Sequence, residues 1–258
     1  MRRLIASTVL TAALATPALA QDAPPGHRYR VAIGPQAKPR YPGTDTVQLL
    51  PLISLSRARG DEPFTFSAPD QGFSIPLFDL HGFSAGPALN IQASRRASDV
   101  GIAVPKVGTT VEAGGFVQYR VAPGFRLRGE LRKGIGGHKG LIGEIGADYV
   151  ARDGDRWLFS IGPRVTLIDD RFAGAYFGIT PATATATGLP RFTARGGLEA
   201  VGATTSVIRQ LSPHWGLYGF GKYDRLVDDA GRSPLTQRYG ARNQFSGGLA
   251  LTYTFTRR

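Results

Sequence analysis

Gly82-Phe83-Ser84-Ala85-Gly86 has the spacing of a nucleophilic serine motif. Such a serine reacts because a sharp strand-to-helix turn lifts its hydroxyl clear of the sheet. Here apolar and polar residues go on alternating through Leu89 and Ile91 to Ala93, so neither turn nor helix follows. The available bases are His27, His81, His138 and His214, and His81 stands three residues before Ser84. A lipid-acting barrel hydrolase would have to use that pair, which falls at a short turn, away from an outer leaflet. The glycine loop from Gly134 to Gly140 around His138 lacks the spacing of a phosphate cradle. No H-E-x-x-H or similar ligand spacing occurs, and the absence of Cys excludes thiolate metal sites, Cys nucleophiles and disulfides. No catalytic residue, metal or cofactor is expected.

A second set of residues is more informative. Glu112, Arg120, Arg126, Arg128, Glu130, Arg132, Glu144, Asp148 and Arg164 all occupy even positions in alternating runs. Between them stand Val111, Val117, Tyr119, Phe125, Leu127, Leu131, Leu141, Ile145 and Tyr149. Period two puts one kind of residue on each face of a pleated strand. Arg126, Arg128, Glu130 and Arg132 thus share a face, and Glu112, Glu144 and Asp148 on neighbouring strands can oppose them. In a soluble sandwich the charged face meets water and the apolar face is a core. In a membrane barrel the apolar face meets lipid and the charges line a lumen. Most runs here reach the ~9–11 residues of a tilted membrane strand, against the ~5–6 usual in soluble sheets. The barrel follows.

The elements that position these residues can be read along the chain. Met1-Arg2-Arg3, the apolar stretch Leu4 to Leu14 and Ala18-Leu19-Ala20 form a secretory signal cut between Ala20 and Gln21. Residues 1–20 are then signal peptide, 21–28 a periplasmic leader and 29–258 an all-β, single antiparallel up-and-down transmembrane barrel of about twelve strands. The least regular strands are expected near Pro63–Ala68 and Gly72–Phe78. Short links near 59–62, 79–81, 122–124, 153–155 and 212–214 alternate with longer ones, the longest being the irregular stretches Asp169 to Arg191 and Arg225 to Arg242. Outer-membrane barrels show this asymmetry, with short turns in the periplasm. Trp157, Trp215, Tyr119, Tyr149, Tyr223, Tyr253 and Phe255 sit near strand ends on the apolar face, where interfacial girdles form. Mean hydropathy is −0.11, and no apolar run after the signal could cross a bilayer as a helix. The formal charge of +12 is dispersed and carries no nucleic-acid signature, so its partners are expected to be lipid and lipopolysaccharide phosphates or a murein-associated protein.

Tyr176-Phe177-Gly178-Ile179-Thr180, Ala182, Gly188-Leu189, Phe192 and Gly196-Gly197 resemble the signature of the MipA/OmpV family of outer-membrane proteins. Gly34-Pro35 through Tyr41-Pro42-Gly43, Leu226 through Asp229-Ala230 and Ser233-Pro234, and the terminal Tyr253-Thr254-Phe255 agree in order. The resemblance implies an outer-membrane barrel, not an enzyme. It also implies a scaffold that joins a murein lytic transglycosylase to a bifunctional penicillin-binding synthase. The lumen set itself leaves two readings open: a barrel zipped shut by mixed charges, which is favoured, or a narrow, anion-leaning channel.

Overall fold

A computed structural model of the chain describes residues 26–257. The expected signal peptide and its cleavage point lie outside the described residues. The alternating runs form long strands joined up and down: β1 (His27–Pro39), β2 (Val47–Arg59), β3 (Phe73–Ser74), β4 (Phe78–Leu80), β5 (Phe83–Gln92) and β6 (Thr110–Ala122). They continue with β7 (Phe125–Gly136), β8 (Leu141–Asp153), β9 (Trp157–Ile168), β10 (Gly197–Gln210), β11 (Trp215–Leu226) and β12 (Asn243–Arg257). One twelve-stranded sheet results, in the order β2-β1-β12-β11-β10-β9-β8-β7-β6-β5-β3, with β4 also on β5. All its pairings are antiparallel, and β1 meets β12 from His27↔Arg257 to Ala37↔Gly247, which brings the two ends of the described chain together inside a sheet whose edges are β2 and β3. Gly124 (φ 77°) and Gly154 (φ 49°) make the tight left-handed turns after β6 and β8.

The strand number agrees with the expectation, but its membership differs near residues 63–78. Pro63–Ala68 forms no strand, and Gly72–Phe78 is reduced to β3 and the start of β4. Pro63, Pro69 and Pro76 each lack the N–H that a ladder needs, so pairing survives only between them and beyond. Residues 60–72 leave the wall and run through the lumen, where Phe64 and Ala68 are each 3% exposed.

The outward face is apolar from end to end, with Leu127, Leu131, Leu217 and Leu249 exposed. Aromatics collect at the short-turn end. Tyr29 stacks on Phe255 at 5.5 Å, Phe125 meets Tyr149 at 5.0 Å and Trp215 meets Tyr253 at 4.9 Å. At the loop end the corresponding pair is Tyr223 with Phe245.

The two long links expected to be irregular contain helices. These are α2 (Asp170–Phe177), α3 (Pro181–Thr187), α4 (Asp228–Arg232) and α5 (Pro234–Tyr239), preceded by the single turn α1 (Ala97–Val100) after β5. Their ends follow from local chemistry. Asp169 accepts the N–H of Phe172 at 2.9 Å, and Thr180 accepts that of Thr183 at 3.2 Å. Pro181 and Pro234 start their helices where a missing N–H costs nothing. The pieces pack across the loop end through Tyr41, Ile168, Phe172, Tyr176, Phe177 and Leu226. Phe172 and Phe177 are each 1% exposed, and burying such a ring contributes about 1.5–3 kcal/mol. The loop end therefore carries a hydrophobic cap.

Candidate functional site

The inner wall is a connected set of charges built on β7. Arg126, Arg128, Glu130 and Arg132 project inward at every second position and are buried. Asp148 lies directly across from Arg126 on β8. It accepts Arg126 Nε at 3.1 Å and Arg164 Nη2 at 2.7 Å. Gly146 stands opposite Arg164, and a Cβ there would lie 2.9 Å from Arg164 Nη1, so the missing side chain makes room for the guanidinium. Arg132 binds three carboxylates: Glu112 at 3.0 Å, Glu144 at 3.2 Å, and Glu130. Glu130 also pairs with Arg128, whose guanidinium lies 3.8 Å from the Phe116 ring centre. Gln118 Oε1 accepts from both Arg126 (3.5 Å) and Arg128 (3.3 Å), which joins the two branches. In a low-dielectric interior such charges persist because each is paired and hydrogen-bonded.

Arg120 stands apart. It sits at the turn end, largely exposed, and forks onto Asp79 at 3.0 Å through both carboxylate oxygens. Being near the end of β6, it reaches past the wall into the mouth. Glu144 is half-buried, and the other seven members of the set are at most 8% exposed.

Several participants gave no signal in the alternation. Asp70, on the inserted segment, accepts Arg164 Nε at 2.7 Å and lies 3.7 Å from Lys222 Nζ. Lys222 also pairs with Asp224 at 3.0 Å. His138 is fully buried behind Glu112. Its Nδ1 accepts the N–H of Gly140 at 3.0 Å, so Nε2 carries the proton that faces Glu112 Oε1 at 3.2 Å. The ring packs edge-on against Phe172 at 4.7 Å and covers Gly134, where a Cβ would come within 2.3 Å of it. His138 thus ties the charge network to the cap. In the cap Arg95 donates to the carbonyls of Tyr176 (2.8 Å), Ala175 (3.0 Å) and Pro105 (3.0 Å), a cation at the C-terminus of α2. Burial pushes its guanidinium pKa down and that of the Tyr176 phenol up.

Network, inserted segment and cap divide the lumen. A cavity of about 190 Å³ lies under the cap, one of about 70 Å³ between β2 and the inserted segment, and a cleft of about 640 Å³ opens at the turn end. The lining changes sign along the axis. Arg30, Arg126, Arg128 and Arg164 surround Asp148 and Asp155 in the turn half, whereas Glu112, Glu144, Glu199 and Asp224 face Arg132 and Lys222 nearer the cap. Ser84 is buried as the second residue of β5, which continues extended to Gln92, and His81 lies in the preceding turn at φ 52°. The serine motif therefore has no elbow.

A sequence model of the family described as MltA-interacting protein MipA matches residues 31–255. No curated protein matches the chain. Among solved structures, the CymD monoaromatic hydrocarbon channel is similar at 10% identity and a TM-score of 0.37, with 92% of this chain and 90% of that chain covered. The Ralstonia pickettii toluene transporter TbuX is similar at 8% identity and 0.33, with 91% and 90% covered. A Pseudomonas aeruginosa FadL homologue is similar at 8% identity and 0.30, with 89% of each chain covered.

Proposed function

The chain belongs to the MltA-interacting protein MipA family, and from that footing we propose that it is a non-enzymatic outer-membrane barrel that acts as a scaffold. Its short turns would face the periplasm and hold a murein lytic transglycosylase together with a penicillin-binding synthase. Lipid would surround the apolar belt, and the capped loop end would face lipopolysaccharide. The observation that carries this reading is the divided lumen. A barrel filled by paired charges, an inserted segment and a helical cap has its turn-end surface left to work with. That surface offers the 640 Å³ cleft and a rim with Arg57, Arg59 and Arg257 exposed, none of them in an ion pair among the described residues. Affinity capture from envelope extracts tests it. Both murein enzymes are expected in the eluate, and Arg57→Glu with Arg257→Glu should deplete them. An eluate free of murein enzymes removes the scaffold.

The runner-up is a narrow channel, favoured by the polar inner wall. Because the lining is basic in one half and acidic in the other, anion preference would be confined to the turn half.

A further inference from the structure

The wall has one strand too few. From β2 through β1 and β12 round to β5 and β3 the path has eleven members, each antiparallel to the next. The two ends of an odd path point the same way, so β2 and β3 both descend from the loop end to the turn end. They cannot close the cylinder by antiparallel pairing. Among the described residues nothing pairs with the outer edge of β2. An unpaired edge at membrane depth leaves backbone N–H and C=O groups in hydrocarbon, which barrels exist to avoid.

Residues 61–72 are the chain that would fill the gap. They lead from the turn end of β2 to the start of β3, so they ascend, the one direction that restores antiparallel pairing on both sides. Their length meets the ~9–11 residues of a membrane strand. Between Pro63 and Pro69, which supply no N–H and limit ladder pairing to the residues between and beyond them, their pattern is that of a wall strand, with Phe64, Phe66 and Ala68 alternating with Thr65 and Ser67. Gly60, at φ 51°, supplies a hinge. Inside the lumen the segment is held by polar contacts and ring stacking, and Arg28 Nη2 donates to the Glu62 carbonyl at 2.6 Å. Asp70 meets Arg164 and Lys222, Arg152 donates to the Phe64 carbonyl at 2.9 Å, and the Phe64 N–H donates to Asp155 at 3.1 Å. Phe64 lies 4.2 Å beneath Arg30 and Phe66 4.6 Å beneath Arg126.

We propose that residues 61–72 are an exchangeable strand: folded inward they plug the lumen, and inserted between β2 and β3 they complete the barrel and open it to small ions. Asp70 is the latch. In the wall position Phe64, Phe66 and Ala68 enter the acyl chains, Thr65 and Ser67 line the passage, and Asp70, on the face of Phe64 but at the loop end of the segment, meets the interface. The protein then conducts ions as well as binding partners, with the segment as its gate.

Planar-bilayer recording in potassium chloride tests this with the full chain. Asp70→Asn is expected to raise open time by roughly tenfold or more, the scale of losing one charge-assisted hydrogen bond. Phe66→Ala, which removes the ring from beneath Arg126, should act in the same direction. It serves if Asp70→Asn loses the heat-modifiable barrel. The chain has no Cys, so introduced thiols are unique. Ser67 and Ser206 line the same cavity, and joining Ser67→Cys to Ser206→Cys with a short bis-maleimide should silence either opened variant. A lipid-soluble maleimide should reach Ala68→Cys, 3% exposed when the segment is folded inward, when Asp70→Asn is also present and spare it otherwise. Folded variants that stay as silent as the parent, or that conduct unchanged once crosslinked, overturn the proposal. Loss of partner capture would leave it standing, since the two readouts are independent.

Discussion

Arg132 shows what a single residue does in this barrel. It pairs with Glu112, Glu130 and Glu144 together, the first two buried and the third half-buried. Replacing it by Met leaves Glu112 and Glu144 without an arginine while Glu130 keeps Arg128, and removing one partner of a buried pair typically costs about 3–5 kcal/mol. Arg132→Met is expected to lower the urea midpoint in detergent accordingly. Arg120→Ala should move it by less than about 1 kcal/mol, because that pair is exposed and screened. Equal effects at the two sites would show that the network carries no stability. The sequence put both arginines in one set, since alternation reports a face and not a depth. Depth is set by where along the strand the residue falls and by what crosses the lumen.

At the scale of elements, the outward face of β7 supplies the clearest check on membrane orientation. Leu131 is exposed in mid-strand, and Leu131→Arg should destabilise by about 2–4 kcal/mol if acyl chains surround it. A soluble surface would accept the arginine without change. The cap makes a separate prediction. Phe172→Ala removes one of its two most buried rings, which should cost about 3–5 kcal/mol locally and expose residues 169–196 to protease while the barrel stays heat-modifiable. A further tie is pH-dependent. Asp229, outside the wall, accepts Arg232 Nη2 at 2.9 Å and the Arg195 N–H at 2.9 Å, and these bonds hold its carboxyl below the usual carboxylate range. A lowered folded-state pKa means the tie is present at neutral pH and is lost as pH falls through that lowered value. The protection of the Arg195 amide, relative to its intrinsic exchange rate, should therefore fall at acid pH, and in Asp229→Asn it should be low at every pH. The helices α2 to α5 went unread in the sequence, which took both links as irregular: Asp169, Thr180 and Ser233 stand at helix starts, but the helices are too short for a helical period to announce itself between strands.

For the molecule as a whole, the native barrel is expected to be nearly silent in a planar bilayer, because paired charges, the inserted segment and the cap interrupt the lumen in series. Stable, large conductance from unmodified protein would contradict that. By itself the sequence determined the class of fold. Strand period, strand length and the alternation of short and long links are local properties, and each is written in consecutive residues such as Phe125 to Arg132. It also determined which charges share a face, since a pleat allows two sides and no third. The tertiary structure alone decided that residues 60–72 lie inside rather than in the wall. Their alternation suits either place, and the choice rests on Asp70 meeting Arg164 and Lys222, partners about 94 and 152 positions away that no local pattern can bring together. It likewise decided that His138, in a glycine loop without periodicity, would join the cap to Glu112, because that contact exists only once β6, β7 and α2 are packed around one buried ring.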